Sequence, residues 1–83
     1  MSSREIQHYI FQNGQFTFSD GATNEGMVIS RYNISLARIE YYFIPDSNIL
    51  AYRSARAQHD VHAHKSLGHL IDISKITSAQ LIN

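Results

Sequence analysis

Pro45 is the only proline in this 83-residue chain, and it separates two unlike stretches. Before it, Leu36 to Ile44 sets Ala37, Ile39, Tyr41 and Phe43 in alternation with Arg38 and Glu40. After it come Asp46-Ser47-Asn48 and then good helix formers, Ala51, Arg53, Ala55, Arg56 and Ala57. Proline has no N–H to give to a ladder and holds φ near the turn value, so a strand stops there. Asp46 or Ser47 can accept hydrogen bonds from the free amides of a first helical turn. This junction predicts a half-buried strand followed by the main helix, over about 47–60. Continuation to Leu67, with Gly68 as a left-handed terminator, is a further option.

Other strands are read from the same alternation. Asn13-Gly14 lies between aromatic runs and predicts a two-residue hairpin turn, with Phe11 facing Phe16 and Tyr9 facing Phe18. That register gives a wall of four aromatics on one side. Ser19 to Gly26 reads as a loop and Met27 to Ser30 as a short strand broken by Arg31-Tyr32-Asn33. In the strand before Pro45, Tyr42 and Ile44 interrupt the polar face, which predicts cover on both sides there. Leu70 to Ile73 is expected to form another strand, and Ala79 to Ile82 a last strand or a helical turn. Ile34 to Ile39 faintly echoes Ile76 to Leu81, too briefly to establish a repeat. The expected fold is α+β: a mostly antiparallel sheet of four to six strands with one main helix on one face, in a single domain over 1–83. A small barrel with the helix as its lid is the alternative.

Composition removes several classes of function. There is no cysteine, which excludes disulfides, thiolate nucleophiles and zinc fingers. Seven basic and seven acidic residues cancel, so nucleic acid is a disfavoured partner, although Tyr32, Tyr41, Tyr42 and Tyr52 lie beside Arg31, Arg38 and Arg53. No apolar stretch approaches the roughly 20 residues that span a bilayer. The opening Met-Ser-Ser-Arg-Glu-Ile-Gln-His lacks a signal-peptide core. The expected compartment is the cytoplasm, where Asn33-Ile34-Ser35 is a chance match to a glycosylation triplet.

The helix surface supplies the main functional clue. Ile49, Tyr52, Ala55, Ala63 and Leu67 fall on one arc if the helix is continuous, and Leu50, Ala57 and Val61 on a second. The sheet covers only one arc. The second is left for a loop, the chain ends or another copy of the protein. Asp60, close to Arg53 and Arg56, is expected to join them in a surface ion-pair cluster.

The segment His59-Asp60-Val61-His62-Ala63-His64 holds three of five histidines. On a helix His59 and His62 are neighbours, whereas His64 points about 140° away from His59. Convergence of His59, His62 and His64, with Asp60 and His69, therefore requires a loop, and no established zinc spacing is present. Combinations such as Ser47 or Ser66 with His62 and Asp72 lack a nucleophile elbow, and no glycine-rich phosphate loop occurs. The expectation is a non-enzymatic protein-interaction module without a cofactor, self-associating, with a homodimer favoured and any other protein partner unknown. A histidine-based metal or small-ligand site is the alternative.

Overall fold

The structure, a computed structural model, describes residues 1–82. A short helix α1 (Ser3–Ile6) precedes strands β1 (Asn13–Phe18), β2 (Thr23–Asn33) and β3 (Arg38–Pro45). A single 3-10 turn (Asp46–Asn48) leads into the main helix α2 (Ile49–Ala57), followed by α3 (Ala63–Leu67), β4 (His69–Ile71) and β5 (Ile76–Leu81). The five strands form one sheet, in the order β4-β3-β2-β1-β5, with every pairing antiparallel. The sheet is open, with β4 and β5 at its edges. It is the α+β sheet expected from the sequence, not the barrel.

Both faces of the sheet are covered. Met27 pairs with Ile44 and Ile29 with Tyr42, and these four meet Ile49, Tyr52 and Ala63 from α2 and α3. One position along, Val28 pairs with Phe43 and points the other way, into a core shared with Ile6, Phe16 and Ile76. The period of two thus feeds two cores from the same two strands. The apolar run Tyr41 to Ile44 is the trace of that double burial. The helix arc of Ile49, Tyr52, Ala55, Ala63 and Leu67 packs as the sequence predicts.

The N-terminal hairpin does not form around Asn13-Gly14. The actual turn between β1 and β2 spans Ser19 to Ala22, where the Phe18 N–H donates to Ala22 O at 2.8 Å and the Ala22 N–H donates to Asp20 Oδ1 at 2.9 Å. Gly21 supplies the positive φ of +89°. Asp20-Gly21 is as strong a hairpin pair as Asn13-Gly14, and it wins because the segment before Asn13 is engaged elsewhere. Ser2 and Glu5 there make a reciprocal capping box that starts α1, and Phe11 sits at φ +61°. Consequently Phe16 is fully buried, edge-on to Tyr9 and Phe43, while Phe11 is exposed. The expected loop of Ser19–Gly26 shortens to the turn at Ser19–Ala22, and the expected break at Arg31–Asn33 does not occur, because β2 runs unbroken through Thr23–Asn33. Residues 76–81, the second half of the echo, form β5 throughout, whereas 34–37 form a turn and only Arg38 and Ile39 are strand, so the two segments do not share one conformation.

Two further expectations are corrected after Pro45. The main helix ends at Ala57: His59 takes φ +61°, its N–H donates to Arg56 O at 3.0 Å, and the Asp60 N–H donates to Ala55 O at 2.9 Å. This pair of bonds is a Schellman stop, with histidine in the position usually held by glycine. Gly68 is not a left-handed terminator but extended backbone, with φ −138°. It is small for another reason: a Cβ there would lie 2.5 Å from Ile44 Cδ1 and 2.6 Å from Phe43 O. Its neighbour α3 is thereby held close against β3.

Candidate interaction site

The second helix arc is divided by the stop at His59. Leu50 and Ala57, seven residues apart, both remain on the outer surface of α2, with Leu50 80% exposed. Val61, 60% exposed, has left the helix and lies in the turn before α3. There its carbonyl accepts a long 3.5 Å contact from Arg31 Nη2 on β2. Val61 therefore belongs with the β2–β3 hairpin, not with Leu50.

The hairpin end is a defined structure that presents apolar side chains to solvent. Asn33 ties it: Oδ1 accepts from the Leu36 N–H at 3.1 Å and Nδ2 donates to Glu40 Oε1 at 3.1 Å. The glycosylation-like asparagine thus uses its side chain to close the turn. Ala37 completes it at φ +51°. Around this turn Ile34 is 85% exposed, Leu36 55% and Ile39 58%, and Tyr32 stands directly across from Ile39. No other element covers them. The signal was present in Ile34-Ser35-Leu36, because a turn has no local need of isoleucine or leucine.

The five histidine-cluster residues are dispersed. His59 serves as the helix stop. Asp60 Oδ1 accepts from the His62 N–H at 2.9 Å and so orders the next turn. His62 is exposed, and His69 in β4 packs its ring 5.9 Å from that of Phe43. His64 is buried, its ring edge-on to Tyr42 at 4.7 Å. Among the described residues no three histidine or acidic side chains converge on a common point. The expected ion-pair cluster of Asp60 with Arg53 and Arg56 is also not formed. Arg56 lies over the Phe11 ring at 4.7 Å and Arg53 donates to Asn13 Oδ1 at 3.4 Å. Tyr42 and Tyr52 lie inside the first core, which removes two of the tyrosines from any stacking face.

Between the hairpin and α3 lies a cleft of about 380 Å³, with Arg31, Glu40, Tyr42, His64 and Lys65 among its walls. Hydrogen bonds from Asn33 and Arg38 hold the Glu40 carboxyl below its ordinary range. Burial, followed by the Glu40 charge, pushes the Tyr42 phenol up. Burial also holds His64 below its ordinary value, and the charges of Arg31 and Lys65 add to that effect. The His64 Nδ1 is fully enclosed and has no hydrogen-bond partner among the described residues.

Compared with known protein families, curated proteins and solved structures, the chain has no match. No helix among the described residues is long and apolar enough to cross a membrane. The site is therefore read from its own geometry.

Proposed function

We propose that this protein is a non-enzymatic interaction module that pairs with a second copy of itself through the β2–β3 hairpin end. The observation that carries the reading is the exposure of Ile34 and Leu36 at the tip of one ordered hairpin, with Tyr32 and Ile39 paired on one face of its base and Val61 near the other. Scattered exposed apolar residues are ordinary, but four of them concentrated on one hydrogen-bonded hairpin end favour a contact surface. A small domain also gains proportionately more from added burial. Ile34 alone, buried once from each partner of a two-fold pair, contributes about 3–5 kcal/mol by the usual worth of an isoleucine side chain. That is comparable with the lower estimates of the free-energy cost of association. Leu50 and Ala57 on α2 are a second, smaller surface for the same role.

Sedimentation equilibrium on the wild type, Ile34→Glu, Val61→Glu and Leu50→Glu tests the proposal. The expected result is a concentration-dependent dimer that survives Leu50→Glu and is lost in Ile34→Glu and weakened in Val61→Glu. A wild type that stays monomeric to about 1 mM, weaker than −4.1 kcal/mol, overturns it. A dimer broken only by Leu50→Glu moves the interface to α2 and overturns the hairpin assignment.

A further inference from the structure

The cleft beside the hairpin carries positive charge that its own carboxylate does not neutralise. Glu40 is fully engaged, Oε1 by Asn33 at 3.1 Å and Oε2 by Arg38 at 3.2 Å. That Arg38–Glu40 contact is the only ion pair among the described residues. Among the described residues, Arg31 and Lys65, on opposite walls of the same cleft, have no carboxylate within ion-pair distance. Arg31 makes only its long contact to the Val61 carbonyl, and His62 adds an imidazole to the wall nearest Lys65. Behind them His64, 7% exposed, carries a buried ring nitrogen with nothing bonded to it. The rest of the lining is mixed, with polar Asn33 and Ser35 beside the apolar side chains of Ile34 and Val61.

We infer that this cleft binds a small organic anion, a carboxylate or phosphate head held between Arg31 and Lys65 with an apolar body against Ile34 and Val61. A guanidinium offers a planar fork that matches either head, and an ammonium adds a point charge from the other side. The cleft's volume lies in the range of small-ligand sites and exceeds what a bare ion needs. His64 is held below its ordinary value chiefly by burial, with Arg31 and Lys65 adding to the effect and Glu40 opposing it. This inference does not rest on self-association: Arg31 and Lys65 lie in one protomer, and an anion seated on Ile34 and Val61 competes with a second copy for them.

Amide chemical shifts of the isotope-labelled protein are followed during titration with phenyl phosphate, benzoate, phenol and inorganic phosphate. Saturable shifts in 31–35 and 61–65 are expected with at least one of the two aromatic anions. The stronger of these identifies the head. Inorganic phosphate is expected to bind more weakly, and phenol not to bind. Arg31→Gln and Lys65→Gln should each weaken binding about tenfold or more, while Arg31→Lys retains part of it and well-dispersed spectra show that each variant is folded. No saturable shift up to about 10 mM of either aromatic anion overturns the inference. So does equal binding of phenol, equal binding of inorganic phosphate, or binding indifferent to both glutamine variants.

Discussion

Phe11 and Phe16 flank Asn13-Gly14 symmetrically, and a hairpin turning there makes them equal partners in one aromatic wall. The structure makes them unequal. Phe16 is wholly buried, with ring centroids 6.2 Å from Tyr9 and 6.0 Å from Phe43, both edge-on. Phe16→Ala removes the transfer free energy of a full aromatic ring and leaves a cavity, a loss of about 3–5 kcal/mol. The two edge contacts lie within that sum, each worth about 0.5–1.5 kcal/mol. A domain of this length is stable by about 4–12 kcal/mol in total, so the variant is expected to be marginal or unfolded at room temperature. Where it folds, its midpoint temperature should fall by about 15–30 °C. Phe11 is in a left-handed turn and 36% exposed, with the Arg56 guanidinium over its ring. Phe11→Ala should therefore cost about 0.5–1 kcal/mol, the worth of an exposed cation–π contact. Phe11→Gly should be close to neutral, since glycine adopts positive φ without strain. Urea unfolding followed by circular dichroism gives each loss. Losses for Phe11→Ala and Phe16→Ala within about 1 kcal/mol of each other, both above about 3, would refute the register described above and restore the Asn13-Gly14 hairpin.

Three further outcomes follow from single residues. His64 is held below its ordinary value of 6.5 by burial, so the unfolded chain takes up the proton first and acid favours unfolding. Stability should be full above about pH 6.5 and decline as pH falls through that value, with His64→Leu flattening the slope between about pH 7 and 5 in urea titrations. His59→Gly, at the Schellman position, should stabilise by about 0.5–1 kcal/mol, read as a higher urea midpoint with unchanged slope. Gly68→Ala should destabilise by about 1–3 kcal/mol through contact with Ile44 Cδ1 and the Phe43 carbonyl, and a neutral result would show that α3 does not press on β3.

What was legible in the sequence was whatever depends on local period and local punctuation. Pro45 did end a strand, and the doubled apolar pattern at Tyr42 and Ile44 did reflect cover on both faces. The arc from Ile49 to Leu67 was correct even though the helix it assumed is interrupted, because the turn at 58–62 brings Ala63 and Leu67 back to the same core. The errors came from competition between equally good local signals. Two Asx-Gly pairs lie eight residues or fewer apart, and only tertiary contact chooses between them. The capping box at Ser2 and Glu5 is itself a readable local signal for α1. A histidine as helix stop carries a weak signal, since glycine and asparagine dominate that position. For the candidate site, Val61 was marked, but its association with Arg31 and Ile34 needed the helix break. Arg31 and Lys65 lie 34 positions apart, and no periodicity relates them.

The sheet order has a consequence in time. β1 lies between β2 and β5, and its outer ladder pairs Gly14 with Leu81 and Phe18 with Ile76. On an elongating chain the β2–β3 pair and α2 can close the first core before β5 has been made. Ile6 and Phe16, by contrast, lack Ile76 as a neighbour until the last strand is complete. Every residue of the first core, from Met27 to Ala63, precedes Ile76 in the chain, so that core can close while the face that holds Phe16 still waits for its last partner.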